Sequence, residues 1–561
     1  MIFRFRSRSI AMKFISVLCS FHCSIFLSCL LGAHLPKRSE SAHILLMSPS
    51  LSPSLLMAMG RVADTLAETN RHNVTVWIPE MRPLTMTGTK LAHRVIRTDN
   101  VSDAFDMVLR TSPNPFDENA HSFHERIRQE DSLVQWCEAL LQQKEELERL
   151  RAEHFDIVFF DLVDLCLVGI VHHLDIPRLA WVSTGPMPDA YNWIFGIPQP
   201  LSIVPTLQES VLLGPRMNVW ERALNVWQFG LALLAQWRLF REENRAFRKQ
   251  ISPEFPCLEQ IASRIDVAFI VGDEFIDPTL PTLAKVVNIG GLGMSKPPNA
   301  LNPALLSAVL SAPRGAVLLT FGSNTDTAFF DQQKLSNLFT AFAEFADYAF
   351  IAKVSAVDTF SRNLTKNVPN IHLFEWVEQT DLLAHPSLRL FISHSGYNSM
   401  IESAIRGVPL LAIPLFFDQL RVAKSAEYRG FCRILTKSDL LSVERIKQEI
   451  GIMLNDPKYK ANALRLSKLH REKPNPPEEQ LIRWTEFLLE NGPLTELVPE
   501  SAEMGLAAYL CADIALIALG SVLGIFWLCR KALRAILARW EEENAVKNDQ
   551  KKGPKGLIKR D

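Results

Sequence analysis

Short apolar runs separated by helix-patterned stretches recur along this chain, and the whole pattern runs through twice. Residues 43–47 form the first apolar run. At 56–69 the apolar residues Met59, Val62, Ala63 and Leu66 follow at helical spacing. Further runs at 73–78, 157–160, 179–182 and 267–271 predict more buried strands. Strands that are apolar on both faces and alternate with helices predict a parallel sheet covered on both sides. Gly290, Gly291, Gly293, Pro297, Pro298 and Pro303 then interrupt the pattern as a linker. It restarts at 316–321, 350–354, 372–376, 388–393 and 410–414, with helical stretches near 332–346, 399–406 and 419–428. The expected fold is α/β, with doubly wound domains at 41–290 and 313–497 joined through 291–312. Two such sheets make a cleft, with ligands at the carboxyl ends of the strands.

The termini break this pattern. Arg4, Arg6, Arg8 and Lys13 precede an apolar run at 14–33, which reads as a secretory signal peptide over 1–33. Residues 504–529 are nearly all apolar, with Tyr509 and Trp527 eighteen positions apart. On a helix that spacing is roughly 27 Å, close to the hydrocarbon thickness, with an aromatic residue at each boundary. Arg530, Lys531, Arg534 and Arg539 follow, so 530–561 is expected to be a basic cytosolic tail below a single type I span. Asp513, one turn inside Tyr509, is shallow enough to reach headgroups.

Composition adds little beyond this. A formal net charge of -1 over 561 residues gives no reason to expect a nucleic-acid partner. Cys137, Cys166, Cys257 and Cys432 lie between the signal peptide and the span, and their spacing suggests neither a metal site nor a disulfide framework. Asn73, Asn100 and Asn363 head glycosylation sequons; Asn73 opens an apolar alternating run and is expected to be the more buried.

Candidate chemistry is concentrated between Trp376 and Gly430. A strand over 390–393 leads into His394, Ser395, Gly396, Tyr397, Asn398 and Ser399, then a helix. A small-residue turn opening a helix offers free backbone N–H groups and the positive end of the dipole to a pyrophosphate. His394, Asn398 and Ser399 can add side-chain donors, and Glu402, one turn on, can accept from ribose hydroxyls. Trp376 is a flat ring at a strand end. Asp418 and Gln419 close a later strand, where they also fit a plain helix N-cap.

Taken together, these residues resemble the signature of the UDP-glucuronosyl/UDP-glucosyltransferase family. The match runs through Trp376, Gln379, Asp381, His385, Pro386, Phe391, His394, Gly396, Asn398, Ser399 and Glu402, then Gly407, Pro409, Pro414, Phe416, Asp418, Gln419, Ala423, Glu427 and Gly430. Weaker resemblance covers Gly60, Arg61, Asp64, Gly291 and Ser323. It implies a GT-B fold, with acceptor on the first domain and UDP-sugar, either UDP-glucuronate or UDP-glucose, on the second. By the same resemblance Trp376 stacks on uracil beside Val377, Gln379 and Glu402 take the ribose, and Ser323, His394, Gly396, Asn398 and Ser399 hold the diphosphate. Asp418 and Gln419 reach the sugar hydroxyls. Ser395 stands where the family usually has a second glycine, tolerable if that position needs no positive φ.

The implied reaction is one inverting in-line displacement, with no cofactor or metal required. An alcohol acceptor needs a base. The family's histidine for that role is missing: anchored on Gly60, Arg61, Ala63 and Asp64, its position reads Leu55, while His43 comes too early. The carboxylate that orients the histidine survives as Asp161. Three functions follow. The chain acts on amines or carboxylic acids that need no base, uses another base, or is a UDP-sugar- or ligand-binding subunit that associates with active relatives as a homo- or hetero-oligomer. An endoplasmic reticulum membrane protein with a lumenal site and small lipophilic acceptors, of the kind met in detoxification, is expected. Trp193, Phe195 and Trp220 fit the lining of an apolar acceptor pocket, with ordinary core packing the expectation for each.

Overall fold

The computed structural model describes residues 41–551, apart from 118–121, 162–163, 208–211, 295 and 324, together with residue 553. The proposed signal peptide lies outside this range, as does most of the end of the tail. Two parallel sheets form, as the two sets of apolar runs predict. The first has β1 (His43–Met47), β2 (Asn73–Pro79), β3 (Arg94–Thr98), β4 (Ile157–Phe160), β5 (Leu179–Ser183), β6 (Val267–Ile270) and β7 (Val286–Asn288), ordered 3-2-1-4-5-6-7. The second has β8 (Ala316–Thr320), β9 (Ala349–Lys353), β10 (Ile371–Phe374), β11 (Leu388–Ser393), β12 (Leu410–Ala412) and β13 (Cys432–Ile434), ordered 10-9-8-11-12-13. Strand order reverses between β1 and β4 and again between β8 and β11, and those switch points are where ligands bind in such sheets.

Each sheet has an apolar cluster on both faces. Leu45, Met47, Val158 and Phe160 point to one face of the first sheet; Ile44, Leu46, Ile157 and Phe159 point to the other. Period-2 alternation within fully apolar strands produces this split.

Several boundaries differ from the sequence reading. β3 escapes an apolarity search because only Val95 and Ile96 of Arg94–Thr98 are apolar, and β7 and β13 are three residues each. The linker is shorter than 291–312, because a helix at Pro303–Val309, capped by Asn302, contributes Leu305, Ala308 and Val309 to the second core. The helix Pro477–Asn491 crosses back to the first domain and inserts Leu481 and Leu488 into its core, followed by Leu494. A 32-residue helix at Val219–Gln250 has no counterpart in the periodicity reading.

Cys137 and Cys166 form a disulfide between the Phe123–Leu140 and Cys166–His173 helices, 29 residues apart. Linear spacing cannot show such a pairing, because packing of the two helices creates it. Asn73 is exposed, as are Asn100 and Asn363, so burial does not separate the three sequons. His43 starts β1 rather than ending it, with its ring 4.3 Å from Phe155 and its N–H bonded to Asp156.

The C-terminal apolar helix begins at Ala512 rather than 504, because Cys511 adopts a left-handed φ of 53° that separates it from the short Leu506–Tyr509 turn. It continues to Lys551 through the basic residues. By length and composition it is long enough to cross a membrane, and none of its apolar stretch is covered by the protein.

Candidate functional site

The second switch point holds the residues singled out for the donor. β11 ends at Ser393, β8 beside it ends at Thr320, and the Tyr397–Ile405 helix opens directly above with Gly396 as its N-cap. Its first N–H groups have no intrahelical partners, so they and the helix dipole face the crevice. His394 sits between two glycines: a Cβ on Gly322 or Gly396 would lie 2.6 Å from its Nε2. Neither position accepts a side chain while the imidazole stays there. Burial, and then the positive charge of Lys353, push the His394 pKa down to about 4. The ring is therefore neutral near pH 7, and its Nδ1 lies 3.2 Å from Ser393 Oγ.

Gln379 and Glu402, the pair expected at the ribose, are already linked to each other. Gln379 Nε2 donates to Glu402 Oε2 at 2.8 Å and lies 3.3 Å from Ser399 Oγ. Arg61, from the Pro53–Glu68 helix of the first domain, donates to Glu402 Oε1 at 3.0 Å. A carboxylate has about four lone-pair sites, so Glu402 can still accept from two further donors. Val377 is buried and anchors this corner, while Trp376 is 55% exposed. Ser323 follows β8, half-buried, at the mouth of the crevice. Asn398 is half-buried in the first turn of the helix.

Sequence reading missed three cations here. Lys353 ends β9, lies 4.9 Å from the Trp376 ring centroid and donates to Gly322 O at 3.0 Å. Burial lowers its pKa, and it links Trp376 to the loop after β8. Arg61 lay within a weakly matching stretch whose role the sequence did not disclose. Arg421 is 8% exposed, its Nη1 is buried without a hydrogen-bond partner, and it stands one turn beyond Asp418. The available signal was a Lys or Arg at the edge of an apolar strand or motif, which alone does not separate a ligand contact from a surface charge.

Gln419 Oε1 accepts from the backbone N–H groups of Leu415 and Phe416 at 2.8 and 3.1 Å, bracing the turn that carries Asp418. Phe417 in that turn has φ 51°. A bulky residue there costs on the order of 1–3 kcal/mol and is held only by its surroundings. Burial raises the Asp418 pKa to about 6. Ser395 also has a positive φ, 64°, so the condition for tolerating serine in place of glycine is not met. Its N–H bonds to Ser393 Oγ, and its own Oγ is buried without a partner.

The acceptor side is built differently. Leu55 lies in the first turn of the Pro53–Glu68 helix, 4% exposed and packed in the core beneath the sheet. Ser52 caps that helix, and the connection from β1, residues 48–52, contains no histidine. Asp161 follows β4 at the first switch point, 5% exposed. Burial raises its pKa to about 7, against a hydrogen bond from Thr184. Asp164 is raised to about 7 by burial as well, and Glu243 of the long helix is raised for the same reason. Each of these three carboxyls keeps one oxygen buried without a partner, as do Ser48 Oγ, Trp181 Nε1 and Tyr191 OH.

Residues 44–544 match the family model described as UDP-glucoronosyl and UDP-glucosyl transferase. The chain belongs to this family. Among the relatives of this UDP-glycosyltransferase, the putative UDP-glucuronosyltransferase ugt-48 of Caenorhabditis elegans is 31% identical over 88% of the chain and 94% of its own length. UDP-glucuronosyltransferase 3A1 of Homo sapiens is 28% identical over 90% of the chain and 94% of its own length. Os79 from O. sativa, solved in complex with U2F and trichothecene, superposes with TM-score 0.54 at 19% identity, over 79% of the chain and 99% of Os79. The fold is GT-B, and the family assignment makes the chain a glycosyltransferase that takes its sugar from a UDP-sugar. In such an enzyme, preorganised donors around a leaving diphosphate stabilise the charge that develops as the glycosidic bond breaks.

Proposed function

We propose that this transferase moves glucuronate from UDP-glucuronate, in one inverting displacement, onto small lipophilic amines and carboxylic acids. Arg421 carries the sugar assignment. Its guanidinium is nearly buried one turn from the Asp418–Gln419 pair; Asp189, Asp277 and Asp418 already feel its charge, but its Nη1 has no hydrogen-bond partner and can take a further acceptor such as a carboxylate oxygen. The carboxylate of glucuronate matches that fork, whereas glucose offers only hydroxyls.

The acceptor assignment rests on what lies at the first switch point. Its connection carries no histidine, and Leu55 is in the core. Loss of a general base costs about 10²–10⁴ in rate for an acceptor that must give up a proton. A neutral amine or an ionised acid avoids that cost. With a pKa near 7, Asp161 can take a proton after bond formation. Gln379, Glu402, Trp376 and the Gly396 helix terminus bind the nucleotide, and no cofactor or metal enters.

The same reading makes this a type I protein of the endoplasmic reticulum with its site in the lumen. It is supported by the Cys137–Cys166 disulfide, which suits an oxidising compartment, by the uncovered helix from Ala512, and by three exposed sequon asparagines.

The test is turnover by the purified full-length chain, with UDP-glucuronate and UDP-glucose each offered a phenol, an aromatic amine and a carboxylic acid. Amine and acid turnover with UDP-glucuronate, shifting toward UDP-glucose in Arg421→Met, is expected. Efficient phenol turnover overturns the acceptor assignment, and a preference for UDP-glucose in the unmodified chain overturns the donor one.

A further inference from the structure

The Val219–Gln250 helix changes character along its length. From Val219 to Trp237 its exposed positions are Val219, Trp220, Arg222, Ala223, Leu224, Val226, Trp227, Gly230, Leu234 and Trp237, with Arg222 the one charge among them. Trp220 is 80% exposed, Trp227 65% and Trp237 55%. Beyond that, Arg241, Arg245, Arg248 and Lys249 take over the exposed positions. Trp220 was expected in the core; here it is among the most exposed side chains of the domain. Trp220, Trp227 and Leu234 recur every seven residues, and Leu224 lies on the same side, so they form a stripe along one face. Soluble surfaces rarely carry a contiguous apolar patch of this kind without a partner.

The position of the stripe indicates the partner. Asn225, on the inner side of the same helix, donates to Leu201 O and Val204 O at 2.8 Å, and accepts from Thr206 N–H. A few residues earlier, the same connection receives the base of the C-terminal apolar helix. Ser501 Oγ donates to Gly196 O at 3.0 Å, and Tyr509 OH donates to Ile197 O. Residues 196–206 thus tie the tryptophan-bearing half of the helix to the point where the chain turns toward its apolar segment. Ile203, in that connection, is itself exposed. Arg216, Glu221 and Arg222 line a shallow cleft of about 670 Å³ beside it.

We propose that the exposed face of Val219–Trp237 rests in the lumenal leaflet of the membrane that holds this chain's own C-terminal helix. Tryptophan is the side chain best suited to that depth, with an apolar ring and one polar N–H. An in-plane helix with an aromatic face and flanking arginines has the composition of an interfacial element. The first domain would then lie against the bilayer from which a lipophilic acceptor partitions. The inference rests on reading the helix from Ala512 as a membrane span, and the test separates the two.

An environment-sensitive fluorescent amino acid is placed at Trp227, at Trp527 or at Phe329 of the full-length chain in vesicles, with nitroxide-labelled lipid as quencher. Phe329 is 71% exposed on the second domain and serves as the water-facing control. Loss of emission at 227 and 527, with none at 329, is the expected result. Quenching at 527 without quenching at 227 overturns the interfacial face and leaves the span standing. No quenching at 527 removes the span and the proposal with it. A probe at 227 that is shielded from lipid but crosslinks to a second copy assigns the face to a protein contact and overturns the proposal.

Discussion

The two halves of the cleft are prepared in opposite ways. On the donor side, polar groups meet polar groups before any ligand is present: Glu402 is held by Gln379 and Arg61, Gln419 braces its own turn, and Lys353 is tied to Gly322. On the acceptor side, Asp161, Asp164 and Glu243 each keep a buried oxygen unpartnered. A prepaired site binds one ligand class with little reorganisation, which suits a nucleotide used at every turnover. Buried carboxyls without cations are costly while charged and are kept neutral by a raised pKa instead.

The sharpest way to break the contrast is Glu402→Ala. Two charge-assisted ribose bonds at about 1.5 kcal/mol each are lost, and UDP affinity by calorimetry should fall on the order of 100-fold. Unchanged affinity would remove the ribose role and with it the idea of a prewired donor side. Next in size, Cys137→Ser with Cys166→Ser should cost about 2–4 kcal/mol of stability. Because this bond lies wholly in the first domain, UDP affinity should be preserved while the melting temperature drops.

A smaller effect should appear with pH. Asp161 and Asp164 have folded pKa values raised to about 7 from 3.8, so their stabilising contribution is complete below about pH 4 and is lost as pH rises through about 7. Melting temperature should therefore fall between pH 5 and pH 8, and Asp164→Asn should flatten the slope; an unchanged slope would mean that these carboxyls are not the source. The smallest change is Ser395→Gly. Relief of a left-handed serine and its unpartnered hydroxyl should stabilise the second domain by about 1 kcal/mol, read as a higher denaturant midpoint.

The contrast also explains what could be read from the sequence. The residues expected at the donor site stood out because one strand–turn–helix unit, with β10 and β12 beside it, carries nearly all of them in order. Most strands were legible because each is a continuous apolar run. The long helix was not: over Val219–Trp237 its outer face is as apolar as its inner one, so Trp220 and Trp227 gave no amphipathic signal. Asp161 and Asp164, Tyr191, and Glu243 come from three separate parts of the chain, and only packing brings them together. Arg421 sat inside a matched motif, but its burial and its unbonded Nη1 belong to the folded state alone.

The return of Pro477–Asn491 to the first domain governs when that domain can be finished. Its core beneath β1 and β2 is closed by Leu481, Leu488 and Leu494, made some 200 residues after β7, and Arg178 and Asp266 bond to the backbone of that same late segment. During synthesis the first domain must wait, with an apolar face uncovered, until the second has been threaded through. The span from Ala512 follows directly, so completion of the first core and arrival at the membrane are nearly one event. A chain cut anywhere before 477 would lack part of both domains' stability, however intact its strands.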